Sequence, residues 1–144
     1  MKSKNSLIKE YGQFKIIKYE EQNKEYEGVL IETLDNKIIR CRLGKKTPTK
    51  PGYFVSFWEK DHLNKNRPYY DCDTPSETAI IINDGDQAGI FIIPKERAVK
   101  HGLLATEKQV GKMGMRFYPP WCDELNKTAL ATQQWQLNYF YNHS

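Results

Sequence analysis

The chain has 144 residues, 39% of them hydrophobic and 28% charged, with a mean hydropathy of −0.74. That length fits one domain with a real core, and nine Tyr, six Phe and three Trp supply enough buriable surface to exclude disorder over most of it. The net charge of +4 hides an asymmetry: residues 1–67 carry 15 basic and 9 acidic side chains, residues 68–144 carry 7 and 9.

Ser3 to Tyr11 places Leu7, Ile8 and Tyr11 at helical spacing, and Phe14 to Tyr19 reads as a strand. After a polar connection from Glu20 to Glu25, Tyr26–Leu34 and Lys37–Leu43 read as two strands joined by a tight Asp35-Asn36 turn. Pro48 and Pro51 mark a turn before the apolar strand Tyr53–Trp58, and Asp61 to Ser76 reads as polar loop. Ala79–Ile82 and Ile90–Ile93 flank Asp84-Gly85-Asp86 as a hairpin buried on both faces. Pro94 suits the first turn of a helix over Lys95–His101, with Gly102 as its C-terminal cap. Met113–Tyr118 is a further strand, stopped by Pro119-Pro120. Thr128 then caps a closing helix from Ala129 to Tyr141, with Ala131, Trp135 and Tyr139 on one face. The pattern predicts an α+β to α/β fold: a single domain over 1–144, with a mixed β-sheet flanked by helices.

No apolar run is long enough to cross a membrane, and the basic start Met1–Asn5 leads into no signal core. A cytoplasmic protein without a membrane partner is expected. Cys41, Cys72 and Cys122 are odd in number and widely spaced, so buried thiols are expected rather than bridges or zinc ligands. The sequence holds no nucleophile elbow, Walker loop, dinucleotide fingerprint or His-Glu-x-x-His. Asp71-Cys72-Asp73 and Asp84-Gly85-Asp86 carry the residue types of a Mg²⁺ site, but Asp and Gly at such spacing are first of all turn chemistry.

Basic side chains cluster. From Asn36 to Trp58 there are Lys37, Arg40, Arg42, Lys45, Lys46 and Lys50 and no acid, whereas Pro68 to Pro94 holds five acids and no base. Such a stripe marks either a polyanion partner or a solvated face. With Asp35-Asn36 as a two-residue turn, Ile31 falls opposite Arg40 and Val29 opposite Arg42. Glu27, Val29 and Ile31 then share a face with both arginines. That face predicts either a surface ion pair or a phosphate site made of planar guanidinium forks. A second cluster, Gly111 to Trp121, interleaves Lys112 and Arg116 with Tyr118 and Trp121, a pattern suited to nucleic-acid backbones and unstacked bases.

Thr47-Pro48-Thr49-Lys50-Pro51-Gly52-Tyr53-Phe54-Val55-Ser56-Phe57-Trp58 resembles the Thr-Pro-x-Lys-x-Gly-x-Phe-Val-x-x-Trp block of the MepB family. Ile92-Ile93-Pro94, Gly102-Leu103-Leu104, the stretch from Gly111 to Pro119 and Ala131-Thr132-Gln133-Gln134-Trp135-Gln136 resemble that family in the same order. The family is named after an operon that also encodes a multidrug efflux pump and its repressor. The resemblance implies a fold similar to type II restriction endonucleases, association with nucleic acid, and nuclease residues that are not intact. Such nucleases hold Mg²⁺ between an acid on one strand and an acidic-x-Lys triplet on the next. Here Glu27 stands for the first acid, and Arg40-Cys41-Arg42 occupies the triplet.

The expectation is therefore a nucleic-acid-binding protein with a lapsed catalytic site and no cofactor or metal. It would hold DNA or RNA by phosphates through Arg40, Arg42, Lys45, Lys46 and Lys50, with Lys112 and Arg116 as a second line. A monomer is expected. Two alternatives are an active Mg²⁺-dependent nuclease, using Glu27 with an acid from 59–73, and an interaction module for an acidic protein.

Overall fold

The apolar runs predicted as a buried hairpin form the centre of the molecule. In the computed structural model, which describes all 144 residues, they are β8 (Glu77–Asp84) and β9 (Gln87–Pro94), paired antiparallel along their whole length. Alternation sends Ala79 and Ile81 into one hydrophobic cluster and Ile80 and Ile82 into another, so the strand is buried on both faces.

Around this pair a six-stranded mixed sheet is built in the order β1-β2-β3-β8-β9-β11. The added strands are β1 (Phe14–Tyr19), β2 (Val29–Thr33), β3 (Ile38–Leu43) and β11 (Phe140–Asn142). Only the β3–β8 pair is parallel. Helix α1 (Lys4–Tyr11) covers one face, where Leu7 joins Val29, Ile31, Ile39, Cys41, Ala79 and Ile81. The opposite face is covered by a three-stranded sheet, ordered β10-β5-β4, made of β4 (Lys45–Lys46), β5 (Tyr53–Ser56) and β10 (Gly114–Phe117). Tyr53, Val55 and Phe117 of that sheet pack on Ile80, Ile82, Phe91 and Ile93. Helices α2 (Lys95–Lys100) and α3 (Lys127–Gln136) border it, and a hairpin of β6 (Trp58–Lys60) and β7 (Asn66–Pro68) stands beside it. The architecture is mixed α+β, and no helix is long and apolar enough to cross a membrane. All three cysteines are free, with Cys41 buried and Cys72 exposed.

Several elements differ from the sequence-based expectation. The hairpin β2–β3 is out by one residue: Leu30 faces Arg40 and Ile31 faces Ile39. The turn holds three residues, Leu34 to Asn36, closed by Thr33 N–H donating to Lys37 O (2.9 Å), with Asn36 at φ +65°. A shift of one residue exchanges the faces of a strand. Val29 and Ile31 therefore join Ile39 and Cys41 under α1, while Arg40 and Arg42 point the other way. Glu27 is not on the strand at all. It ends a 3₁₀ segment, Glu21–Tyr26, in a left-handed conformation. Its carboxylate accepts from Lys2 N, Ser3 N and Ser3 Oγ at 3.0, 3.0 and 2.7 Å, tying down the start of α1.

The strand expected over 53–58 breaks at Phe57 into β5 and β6, and the loop from 61 to 76 contains β7. Helix α3 is capped by Asn126, whose side chain accepts from Ala129 N (2.8 Å), rather than by Thr128. It stops at Gln136, and residues 140–142 leave the helical path to pair with β9. The apolar 3.6 period over 129–141 does not register this change. The faces of α3 that meet the protein are largely glutamine: Gln133 Nε2 donates to Pro119 O and Cys122 O, and Gln136 serves the edge of β10.

Candidate nucleic-acid interface

The basic stripe of the sequence divides among three places. Arg40 and Arg42 lie inside, with 5% and 0% of their surface exposed. Both converge on Glu20, itself 7% exposed. Arg40 Nε and Nη2 donate to the carboxylate at 3.1–3.2 Å, and Arg42 Nη1 donates at 2.7 Å. Arg42 is held further by Ser56 O, Cys41 O and the Tyr69 hydroxyl, while Arg40 lies flat on the Tyr69 ring at 3.7 Å. Burial pushes the Glu20 carboxyl up, but the charge and hydrogen bonds of Arg42 and Arg40 outweigh it and hold it below its ordinary value. Both Glu20 oxygens and every guanidinium nitrogen of this cluster have a partner inside the protein. These arginines have no surface to offer a phosphate.

Lys46 and Lys50 lie elsewhere. Lys46 pairs in register with Tyr53, so both point to the same face of the small sheet. There Lys46 Nζ meets Asp84 at 3.0 Å, and Tyr53 Oη donates to the same carboxylate at 2.5 Å while accepting from Trp121 Nε1 at 2.9 Å. Lys50 borders that small polar recess. The Asp84 carboxyl is held below the usual range first by the Tyr53 hydroxyl and then by Lys46.

Lys45 belongs with the second cluster. Arg116 and Lys45 both pair with Phe54, from β10 and β4, so Arg116, Phe54 and Lys45 form a row across the outward face of the small sheet. The guanidinium carbon of Arg116 lies 5.8 Å from the Phe54 ring centre, and Lys45 Nζ lies 5.5 Å from that of Tyr26, which packs edge-on against Phe54 at 6.0 Å. Phe54 lies where a side chain at 114 would stand: a Cβ there would come within 2.4 Å of the ring, so Gly114 makes room for the aromatic surface. Arg116 also donates to Pro51 O and Thr47 Oγ1, which fixes the loop between β4 and β5.

Beyond this row lies a groove of about 1110 Å³ between the small sheet and α3. Lys112, Arg116 and Lys127 line it, and no Asp or Glu does. Its aromatic walls are Phe54, Tyr118 and the pair His101–Trp135, stacked at 3.9 Å and 3°. Burial and then the charges of Lys100 and Arg97 lower the His101 pKa, which favours the neutral imidazole. Gln136 joins the groove's two walls: its Nε2 donates to Arg116 O (2.8 Å) and its Oε1 accepts from Tyr118 N (2.9 Å). The sequence pattern at 111–121 pointed to Lys112, Arg116 and Tyr118, and missed Phe54, His101, Lys127 and Trp135. Phe54 comes from β5, His101 from the end of α2, and Lys127 and Trp135 from α3, all outside the 111–121 stretch, so that local pattern could not reach them.

The donor set does not fit a divalent cation. The Glu20 carboxylate is taken by two guanidinium groups, that of Glu27 by the chain start, and no three His, Cys, Asp or Glu side chains come together.

Fold and groove together define a mixed α+β domain with a buried Arg–Glu–Arg cluster and an acid-free cationic cleft. A family model described as MepB-like matches residues 20–142, and the chain belongs to that family. The crystal structure of MepB is similar over 100% of this chain and 98% of its own, at 40% sequence identity and a TM-score of 0.89. No curated protein matches.

Proposed function

We propose that the protein binds nucleic acid in the cleft between the small sheet and α3, holding phosphates without cleaving them. The observation that carries this reading is the composition of the cleft: Lys112, Arg116 and Lys127 beside flat aromatic faces, with no carboxylate among its walls. A polyanion is drawn to such a surface by charge, and flat rings add stacking that tolerates any base. Stacking requires bases free of a duplex, so an unpaired strand suits the cleft better than a helix. Lys45 extends the cationic track across the Phe54 row.

The contact set thus differs from the sequence-based one. Lys45, Lys112 and Arg116 are retained, Lys127 is added, and Arg40 and Arg42 serve the core. Four cations on a single strand give a slope of log K against log salt of roughly −3. The test is a salt titration of a fluorescent oligouridine with the wild type, with Lys112→Glu/Arg116→Glu, and with Lys46→Glu/Lys50→Glu. Reversal at 112 and 116 is expected to remove binding, and reversal at 46 and 50 to leave most of it. Binding that survives the first pair and vanishes with the second would move the site to the Asp84 recess.

A further inference from the structure

Phe54 is a shared wall. On its far side from the cationic cleft lies a second recess of about 500 Å³, bounded by Tyr26, Trp58, Asn66 and the carboxylates of Glu21 and Glu25. Its charge balance is the opposite of its neighbour's. Aromatic faces continue, from Phe54 to Tyr26 at 6.0 Å and on to Trp58, but here two carboxylates outnumber a single cation, Lys24. Glu21 and Glu25 form no ion pair or hydrogen bond through their carboxylates, whereas Glu20 and Glu27 beside them are fully engaged. Glu25 lines the recess immediately beside Tyr26, and after burial its charge raises the pKa of the Tyr26 hydroxyl.

A strand whose phosphates follow Lys112, Arg116 and Lys45 cannot bring another phosphate against these carboxylates. It can bring a base. Resting on the proposed strand path, we infer that this recess is a base-selecting subsite for guanine, read by Glu25 and Asn66 against the ring of Trp58. A carboxylate offers two adjacent acceptors and no donor. Guanine alone presents two adjacent donors, N1–H and the N2 amine, to match them. Adenine and cytosine set an acceptor beside their amine, and uracil flanks its one N–H with two carbonyls. Guanine O6 then accepts from the amide of Asn66, and Trp58 supplies the stacking surface.

Fluorescence anisotropy with labelled RNAs about twelve nucleotides long separates this inference from the reading beneath it. The three probes are oligouridine, the same chain with every third base guanine, and that chain with inosine, which lacks the N2 amine. Guanine is expected to tighten binding roughly five- to tenfold over uridine, and inosine to lose most of that gain. Glu25→Gln should bring guanine and uridine probes to equal affinity while oligouridine binds as before. Circular dichroism confirms folding of this surface variant. Equal binding of all three probes by the wild type, or a guanine preference that persists in Glu25→Gln, overturns the subsite and leaves the cationic cleft standing. Failure of every probe to bind at low salt overturns both.

Discussion

Glu20 stands between two arginines that would otherwise be unpaired charges in the interior. The pair geometry is good on both sides, at 3.1 Å to Arg40 Nη2 and 2.7 Å to Arg42 Nη1. A buried pair of this kind often adds little over a well-packed apolar replacement, but removing one partner strands the other. Glu20→Gln strands two cations at once and is expected to cost about 3–5 kcal/mol at neutral pH. The pH dependence follows from the sign of the shift. The folded carboxyl titrates below its ordinary value of 4.5, so its contribution is complete above that pH and fades as pH falls through and below it. Urea midpoints of wild type and Glu20→Gln should lie far apart at pH 7 and draw together below about pH 4.5. A gap that stays constant down to pH 3 would show that the carboxylate charge is not what holds the cluster. Nothing local in the sequence marks Glu20 for this role. It lies in a polar connection between strands, and only the fold brings it to the arginines 20 and 22 positions later.

At the level of elements, what was legible depended on whether the apolar period was backed by other signals. The β8–β9 hairpin, α1, α2 and β10 could be read because periodicity and Gly or Pro punctuation agree there. The β2–β3 hairpin misled because Asp35-Asn36 looks like a two-residue turn. The three-residue loop with Asn36 in the left-handed region serves equally well, and the one-residue difference exchanged every face. The strand β11 was hidden for another reason: its docking depends on a residue in β9. A Cβ at Gly89 would lie 2.2 Å from the Phe140 ring and 2.8 Å from Tyr141 O, so the edge strand fits only over a glycine. Gly89→Val is expected to lift β11 off the sheet and to cost about 1–3 kcal/mol. Hydrogen exchange reads this directly: amides of residues 140–142 should lose protection while those of β8 keep it. Protection retained at both places would mean that the strand seats without the close approach.

Over the whole molecule, the cleft borrows its shape from the buried cluster and its charge from the surface. Strand β5 forms the floor of the cleft with Phe54, turns Tyr53 and Val55 into the core, and ends at Ser56. The Ser56 carbonyl accepts from Arg42 Nε (2.9 Å), and its hydroxyl donates to Asn23 Oδ1 (2.6 Å). Asn23 in turn donates to Trp58 O (2.9 Å), which carries the tie into β6. Arg42, which the sequence offered to phosphate, is thus a fastening between the central sheet and the sheet that carries the groove, and Arg40 braces it through their shared partner Glu20. This division of labour predicts opposite signatures for two kinds of variant. Lys112→Ala and Lys127→Ala alter exposed side chains without partners, so each should lower the salt slope by about 0.7 and shift stability by no more than about 0.5 kcal/mol. Arg42→Met should do the reverse, lowering the urea midpoint while the folded fraction binds oligouridine with an unchanged slope. The slope counts phosphates met, and in the proposed contact set Arg42 meets none. If Arg42→Met instead lowered the slope and left the midpoint alone, the guanidinium would have to reach the nucleic acid in the complex. The cluster around Glu20 would then open on binding, and the sequence-based contact set would stand after all.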